Sequence, residues 1–204
     1  KFRVLPRNFT KLKDGHNVVE YEEIVVSTKT LPFEDYVFCR KLALFCAIYN
    51  NPGFAPIFKL FMECNISPVS LLVSIIEYLD ELAKSGSLRK EVHLLNRFEE
   101  QTRDENMDSI EDLNEFFGHD ENFEGLITET YGRNLIQAFT GEVFSNHLDL
   151  FAELIGERAQ DLLKKHHSGE DKFVQLKQVI RYCKGISSNL LGDNRLERVF
   201  YSKF

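Results

Sequence analysis

Ser67-Pro68-Val69-Ser70-Leu71-Leu72-Val73-Ser74-Ile75-Ile76-Glu77-Tyr78-Leu79-Asp80-Glu81-Leu82-Ala83-Lys84 decides the fold class. Ser67 stands where a helix takes its cap, and Pro68 suits the first helical position, where its missing N–H costs nothing. Leu72, Ile75, Ile76, Leu79, Leu82 and Ala83 recur at spacings of three and four, while Ser74, Glu77, Glu81 and Lys84 hold the opposite side. Gly86 supplies the stop. This is an amphipathic helix with one face committed to a core.

The same period continues toward the C-terminus. It predicts helices over 87–104 (Val92, Leu95, Phe98), 109–117 (Ile110, Leu113, Phe116, Phe117), about 123–139, 142–166 (Phe144, Leu148, Phe151, Ile155, Leu162), 170–184 and 193–203. Toward the N-terminus, a short helix is expected over 54–64. A longer one runs from near Thr30 to Tyr49, with Thr28 or Thr30 as cap, and Glu34 and Asp35 at the positive end of its dipole. From Leu42 to Tyr49 it is apolar nearly all round, the mark of a helix covered on most sides.

Residues 1–29 follow another pattern. Val4-Leu5-Pro6 and Phe9–Leu12 are short extended segments, Asp14-Gly15 is a turn signal, and Val18–Val26 is rich in β-branched residues. The expected fold is therefore mainly α: an N-terminal β-hairpin followed by a bundle of about eight helices. Three segments are expected: 1–29, a front helical half 30–104, and a rear half 105–204 that either stands alone or joins the front half in one domain. A hairpin alone is marginal in water, so this one calls for a larger sheet or a helix to lie against.

Composition narrows the function classes. Over 204 residues, 43% are hydrophobic and 28% charged, the balance of a globular chain. No run of eighteen apolar residues predicts a membrane span. Lys1-Phe2-Arg3 offers neither an initiator Met nor a signal-peptide core, so the chain is expected to be a piece of a longer one. The net charge of −7 argues against nucleic acid as main partner. Eleven acids against one Arg lie between Glu99 and Glu124, an excess that reads as a solvated face or a connector. Cys39, Cys46, Cys64 and Cys183 form no C-x-x-C pair and are expected as buried free thiols of a cytoplasmic protein.

No G-x-S-x-G, Walker loop, G-x-G-x-x-G or H-E-x-x-H occurs, so no catalytic residue is assigned. One cation candidate exists. Asp104, Asn106, Asp108, Asp112 and Glu115 occupy positions 1, 3, 5, 9 and 12 of an EF-hand-like calcium loop. The match is incomplete: Ser109 replaces the turn glycine, Glu111 replaces the apolar residue, and Ser109-x-x-Asp112 also reads as a helix cap. Glu20, Tyr21 and Glu22 interrupt a strand of β-formers; their acids either face water or face a ligand cavity in a larger assembly.

Glu20–Leu31, then Glu34-Asp35-Tyr36 and the apolar helix, resembles a run found beyond the barrel of cobalamin-binding radical S-adenosylmethionine proteins. That resemblance covers roughly the first fifty residues. It implies an absent N-terminal barrel with a Cys-x-x-x-Cys-x-x-Cys motif, and a parent chain using S-adenosylmethionine, a 4Fe–4S cluster and cobalamin for radical methylation or a related rearrangement. No such motif occurs here, so the fragment is expected to bind no cofactor and to be non-catalytic, capping the barrel or shaping substrate access. The alternative is a helical protein–protein interaction module, and a calcium-responsive helical protein comes third. The expected partner of the front segment is the barrel or a second copy of the chain.

Overall fold

The Asp14-Gly15 signal becomes a turn in the computed structural model, which describes residues 1–187. Gly15 sits at φ +90°, Leu12 N donates to His16 O (2.8 Å), and Asp14 Oδ1 accepts from His16 N (3.2 Å). The turn joins β1 (Phe2–Lys11) to β2 (Asn17–Val25) in an antiparallel pair, with Phe2 opposite Val25 and Lys11 opposite Asn17. A bulge sets Arg7 and Asn8 against Glu20. Helices follow: α1 Phe33–Tyr49, α2 Ala55–Glu63, α3 Pro68–Lys84, α4 Lys90–Asp104, α5 Ile110–Gly118, α6 Asp120–Ile127, α7 Leu135–Glu142, α8 Leu148–Lys165 and α9 Glu170–Ser187. A π turn at Val143–His147 joins α7 to α8, so the described residues form eight helical rods behind one hairpin. The mainly-α fold with its N-terminal hairpin is thus the fold observed. The helix expected at 193–203 lies outside the described residues.

The chain divides into two compact units, neither of them continuous. One comprises Lys1–Lys41 with Asn96–Ala138; the other comprises Leu42–Leu95 with the described residues from Phe139 to Ser187. The division falls inside α1, α4 and α7, not near residue 105 where the acidic run suggested a boundary.

In the first unit, the inner side of the hairpin lies on α5 and α6. Val4 packs with Leu113, Phe117, Phe123 and Leu126, and Val19, Met107, Ile110 and Phe116 close the cluster. Phe9 meets Phe123 edge to face at 5.7 Å. Fully burying such a side chain stabilises by about 1.5–3 kcal/mol. The hairpin thereby acquires the helical support that two strands need. The acidic run is held, not loose. Asp108 pairs with Lys1 (2.8 Å) and Arg3 (2.9 Å), Asp120 with Lys11 (2.8 Å), and Val4 exchanges two 2.9 Å backbone bonds with Met107. Basic residues of the strand thus face the acids whose excess marked the sequence. In the same unit the first half of α1 is tied to the end of α4. Lys41 binds Glu99 (2.9 Å), Arg103 forks onto Glu34 (2.9 and 2.6 Å), and Arg40 Nη2 donates to both carboxylate oxygens of Glu105 (2.9 and 3.1 Å).

The second unit buries the quoted stretch. Leu71, Leu72, Ile75, Ile76 and Leu79 of α3 are covered, as are Phe151, Leu154, Ile155, Ala159 and Leu163 of α8. Leu44, Phe45, Ile48 and Tyr49 of α1 join them; Tyr49 Oη donates to Phe151 O (2.8 Å), satisfying a hydroxyl that burial would otherwise penalise. The apolar end of α1 therefore finds cover within the chain. It is not buried all round, however: Cys46 is exposed, and so is Cys39 seven residues earlier on the same face. Cys64 is half-buried and only Cys183 is fully covered, its thiol pushed up to about 12 by burial. Gly156 permits the close approach of α8 and α9, since a Cβ there would stand 2.6 Å from Ile180 Cδ1.

Candidate functional site

One continuous helix expected at about 123–139 is in fact broken, and the break builds a cleft in the first unit. α6 ends at Ile127. Glu129 takes the left-handed backbone (φ 58°) that usually belongs to glycine after a helix, and Gly132 follows at φ +69°. Asn134 Oδ1 accepts from Gln137 N (3.1 Å) and restarts the chain as α7. Inside the loop, Tyr131 N donates to Gly125 O (3.0 Å), and the ring lies over Gly125, where a Cβ would come within 2.5 Å of it. Gly125 is thus a seat for Tyr131. The ring packs edge to face on Phe116 (5.3 Å) and Phe117 (5.9 Å), which are themselves perpendicular at 5.1 Å.

These rings form one wall of a cleft of about 560 Å³. Leu5 and Pro6 of β1, the last turn of α4 and the Thr128–Arg133 loop supply the rest. That size suits a small molecule, and the lining mixes an apolar wall with a few polar groups as ligand sites do. The acids are Asp104, Glu105 and Glu129; Arg133 is the cation among the lining residues, and its Nη2 donates to Gln101 Oε1 (2.7 Å). Glu105 is half-buried, and burial raises its pKa, outweighing the opposing pull of Arg40. Behind it, burial and then the Glu105 charge raise Tyr36, which lies beside the buried Asn106. Among the described residues neither Asp104 nor Glu129 makes an ion pair.

The residues singled out in the sequence are distributed differently. Glu20, Tyr21 and Glu22 are exposed on β2. Glu20 accepts from Asn8 Nδ2 (2.7 Å) and Glu22 pairs with Arg7, both across the bulge, while alternation puts Tyr21 on the other face. The calcium loop does not form. Asp104 ends α4, Asn106 is buried, Asp108 is held by Lys1 and Arg3, and Asp112 and Glu115 lie within α5. The reason is Ser109, whose Oγ accepts from Asp112 N (3.0 Å) and starts a helix where an EF-hand would still be turning. Among the described residues no three His, Cys, Asp or Glu side chains gather in a way that could hold a metal ion. No single described helix is long and apolar enough to cross a membrane.

Thr128, Glu129, Tyr131 and Gly132 escaped the sequence reading, although Thr128-x-Thr130-x-Gly132-x-Asn134 carries the β-branched, glycine and cap residues of a helix–turn–helix junction. No protein-family model, curated protein or solved structure matches this chain.

Proposed function

We propose that this chain is the non-catalytic helical region that follows the barrel of a cobalamin-binding radical S-adenosylmethionine enzyme, covering the barrel or shaping the way substrate enters it. The observation that supports this reading is the state of the segment carrying the resemblance. Residues 20–31 form the second half of β2 and the turn into α1, and β2 is the last strand of its sheet, with no further strand on its far side among the described residues. Val18, Tyr21 and Val25 are exposed along it, and so is Phe2 (62%) opposite Val25. An open strand edge with apolar side chains is a surface that proteins ordinarily cover. A neighbouring barrel would cover it, and Glu20, Tyr21 and Glu22 would then lie at the junction. Cluster, S-adenosylmethionine and cobalamin would all be held by the preceding domains, in a cytoplasmic enzyme of radical methylation or related rearrangement.

The interaction-module reading has less to stand on, because the exposed large apolar side chains on helices, Met62, Val69, Ile127, Val174 and Tyr182, are scattered over α2, α3, α6 and α9, which is ordinary surface. The test is the reading frame upstream of Lys1. A Cys-x-x-x-Cys-x-x-Cys motif preceded by a cobalamin-binding domain is expected. A frame that opens into unrelated sequence overturns the proposal.

A further inference from the structure

We infer that the cleft of the first unit is a binding site for a small organic cation, a ligand with an ammonium group on an apolar body. Three observations converge on that chemistry. The first is shape: about 560 Å³ of space with one wall made by the perpendicular rings of Phe116, Phe117 and Tyr131. A wall of that kind suits the apolar body of a small organic ligand. The second is charge. Glu105 is already answered by Arg40, whereas Asp104 and Glu129 reach the cleft with no ion-pair partner among the described residues. Two unanswered carboxylates against Arg133 leave the lining net negative. The third is backbone. Glu129 sits at φ 58°, where glycine is the default after a helix, so its side chain is presented at a conformational cost. Tyr131 is fixed by its seat on Gly125, which pre-forms the wall before any ligand arrives.

In this site Asp104 and Glu129 accept hydrogen bonds from the ammonium group, and the ring wall takes the apolar body. The inference is independent of the barrel-capping function and stands or falls without it.

Three isosteric probes test it on the full chain: benzylammonium, benzyl alcohol and benzoate, titrated at low salt while amide NMR shifts are followed. Saturable shifts at the Thr130, Tyr131 and Gly132 amides are expected with benzylammonium and not with benzoate, benzyl alcohol being weaker by about tenfold, the scale of a charge-assisted contact. Asp104→Asn and Glu129→Gln should each weaken benzylammonium by a similar factor. Arg133→Gln should tighten it, a sign that a merely apolar cleft would not give. Unchanged spectra outside the cleft show that each variant is folded. Equal binding of benzoate, no saturable shift with benzylammonium up to solubility, or full binding in the double acid variant would each overturn the proposal.

Discussion

Arg40 and Glu105 form the most enclosed of the arginine–carboxylate pairs in the first unit, with Arg40 Nη2 donating to Glu105 Oε1 and Oε2 at 2.9 and 3.1 Å. Such a pair contributes little net stability, because the desolvation of both ions offsets their attraction, but removing one partner strands the other. Arg40→Met should therefore destabilise by about 2–3 kcal/mol, near the lower end for broken buried pairs because Arg40 keeps some solvent contact. Arg40→Met with Glu105→Leu should recover most of that loss. The pH dependence has a definite sign. Burial already holds the Glu105 carboxyl above its ordinary value. An acid whose folded pKa exceeds its unfolded pKa takes up protons on folding, so stability falls as pH rises through that window. Without Arg40 the window extends further upward, and the loss should be larger at pH 8 than at pH 5. Urea melts of the three proteins at both pH values check this; equal losses at the two pH values would refute it. Glu99 runs the other way: burial raises it, but bonds from Arg103 and Lys41 outweigh that and lower it overall, so its contribution is lost on acidification.

Among the elements, the α6–α7 junction and the π turn are where the sequence was least legible. The three-four period reads apolar residues but not the residue that a π turn inserts. Extended through 142–166 without interruption, it marks Phe144 and Leu148, which are only half-buried, whereas Val143 at the start of the π turn is the residue covered; beyond the turn Phe151 and Ile155 are buried as marked. The quoted stretch 67–84, by contrast, was legible in its bounds, since Pro68 and Lys84 bound α3 as expected, although Leu71 is buried outside the expected stripe and Leu82 and Ala83 within it are only half-buried. Ser67 nevertheless makes no side-chain cap bond. At the junction, the left-handed Glu129 yields a clean comparison. Glu129→Gly and Glu129→Ala both remove the carboxylate, but only Gly is at ease at φ 58°. The Gly variant should be more stable than the Ala variant by about 1 kcal/mol, a shift of roughly 2–4 °C in a chain of this size. Equal melting temperatures would show that the loop relaxes and carries no strain.

At the scale of the whole molecule, apolar period and composition made the mainly-α fold and its hairpin readable, but not the way distant segments combine. The acidic run at 99–124 looked like a boundary because charge excess usually marks solvated chain. Its partners, Lys1, Arg3 and Lys11, lie about a hundred residues earlier, and no local pattern announces such pairing. The cleft was invisible for the same reason, since β1, α4, α5 and the Thr128–Arg133 loop meet only in the folded chain. A truncation after Asp104 should consequently fail. It would remove Leu113, Phe117, Phe123 and Leu126 from beside Val4, and α8 from beside α3. The expected result is loss of cooperative thermal unfolding by circular dichroism. A sharp transition in 1–104 would contradict the interleaved division.

That interleaving bears on how the polypeptide leaves the ribosome. The hairpin emerges ahead of the helices that support it, and the residues that cover its inner side, Phe117 and Phe123, come nearly a hundred positions after its end. At ~5–20 residues per second, the strands wait roughly 5–20 s for that cover during vectorial synthesis. Through that interval Val4 and Phe9 are bare, and the hairpin is exposed to other nascent chains on the same message. Chaperone occupancy, read by selective ribosome footprinting, should rise once the hairpin clears the exit tunnel and fall only after α6 has followed it.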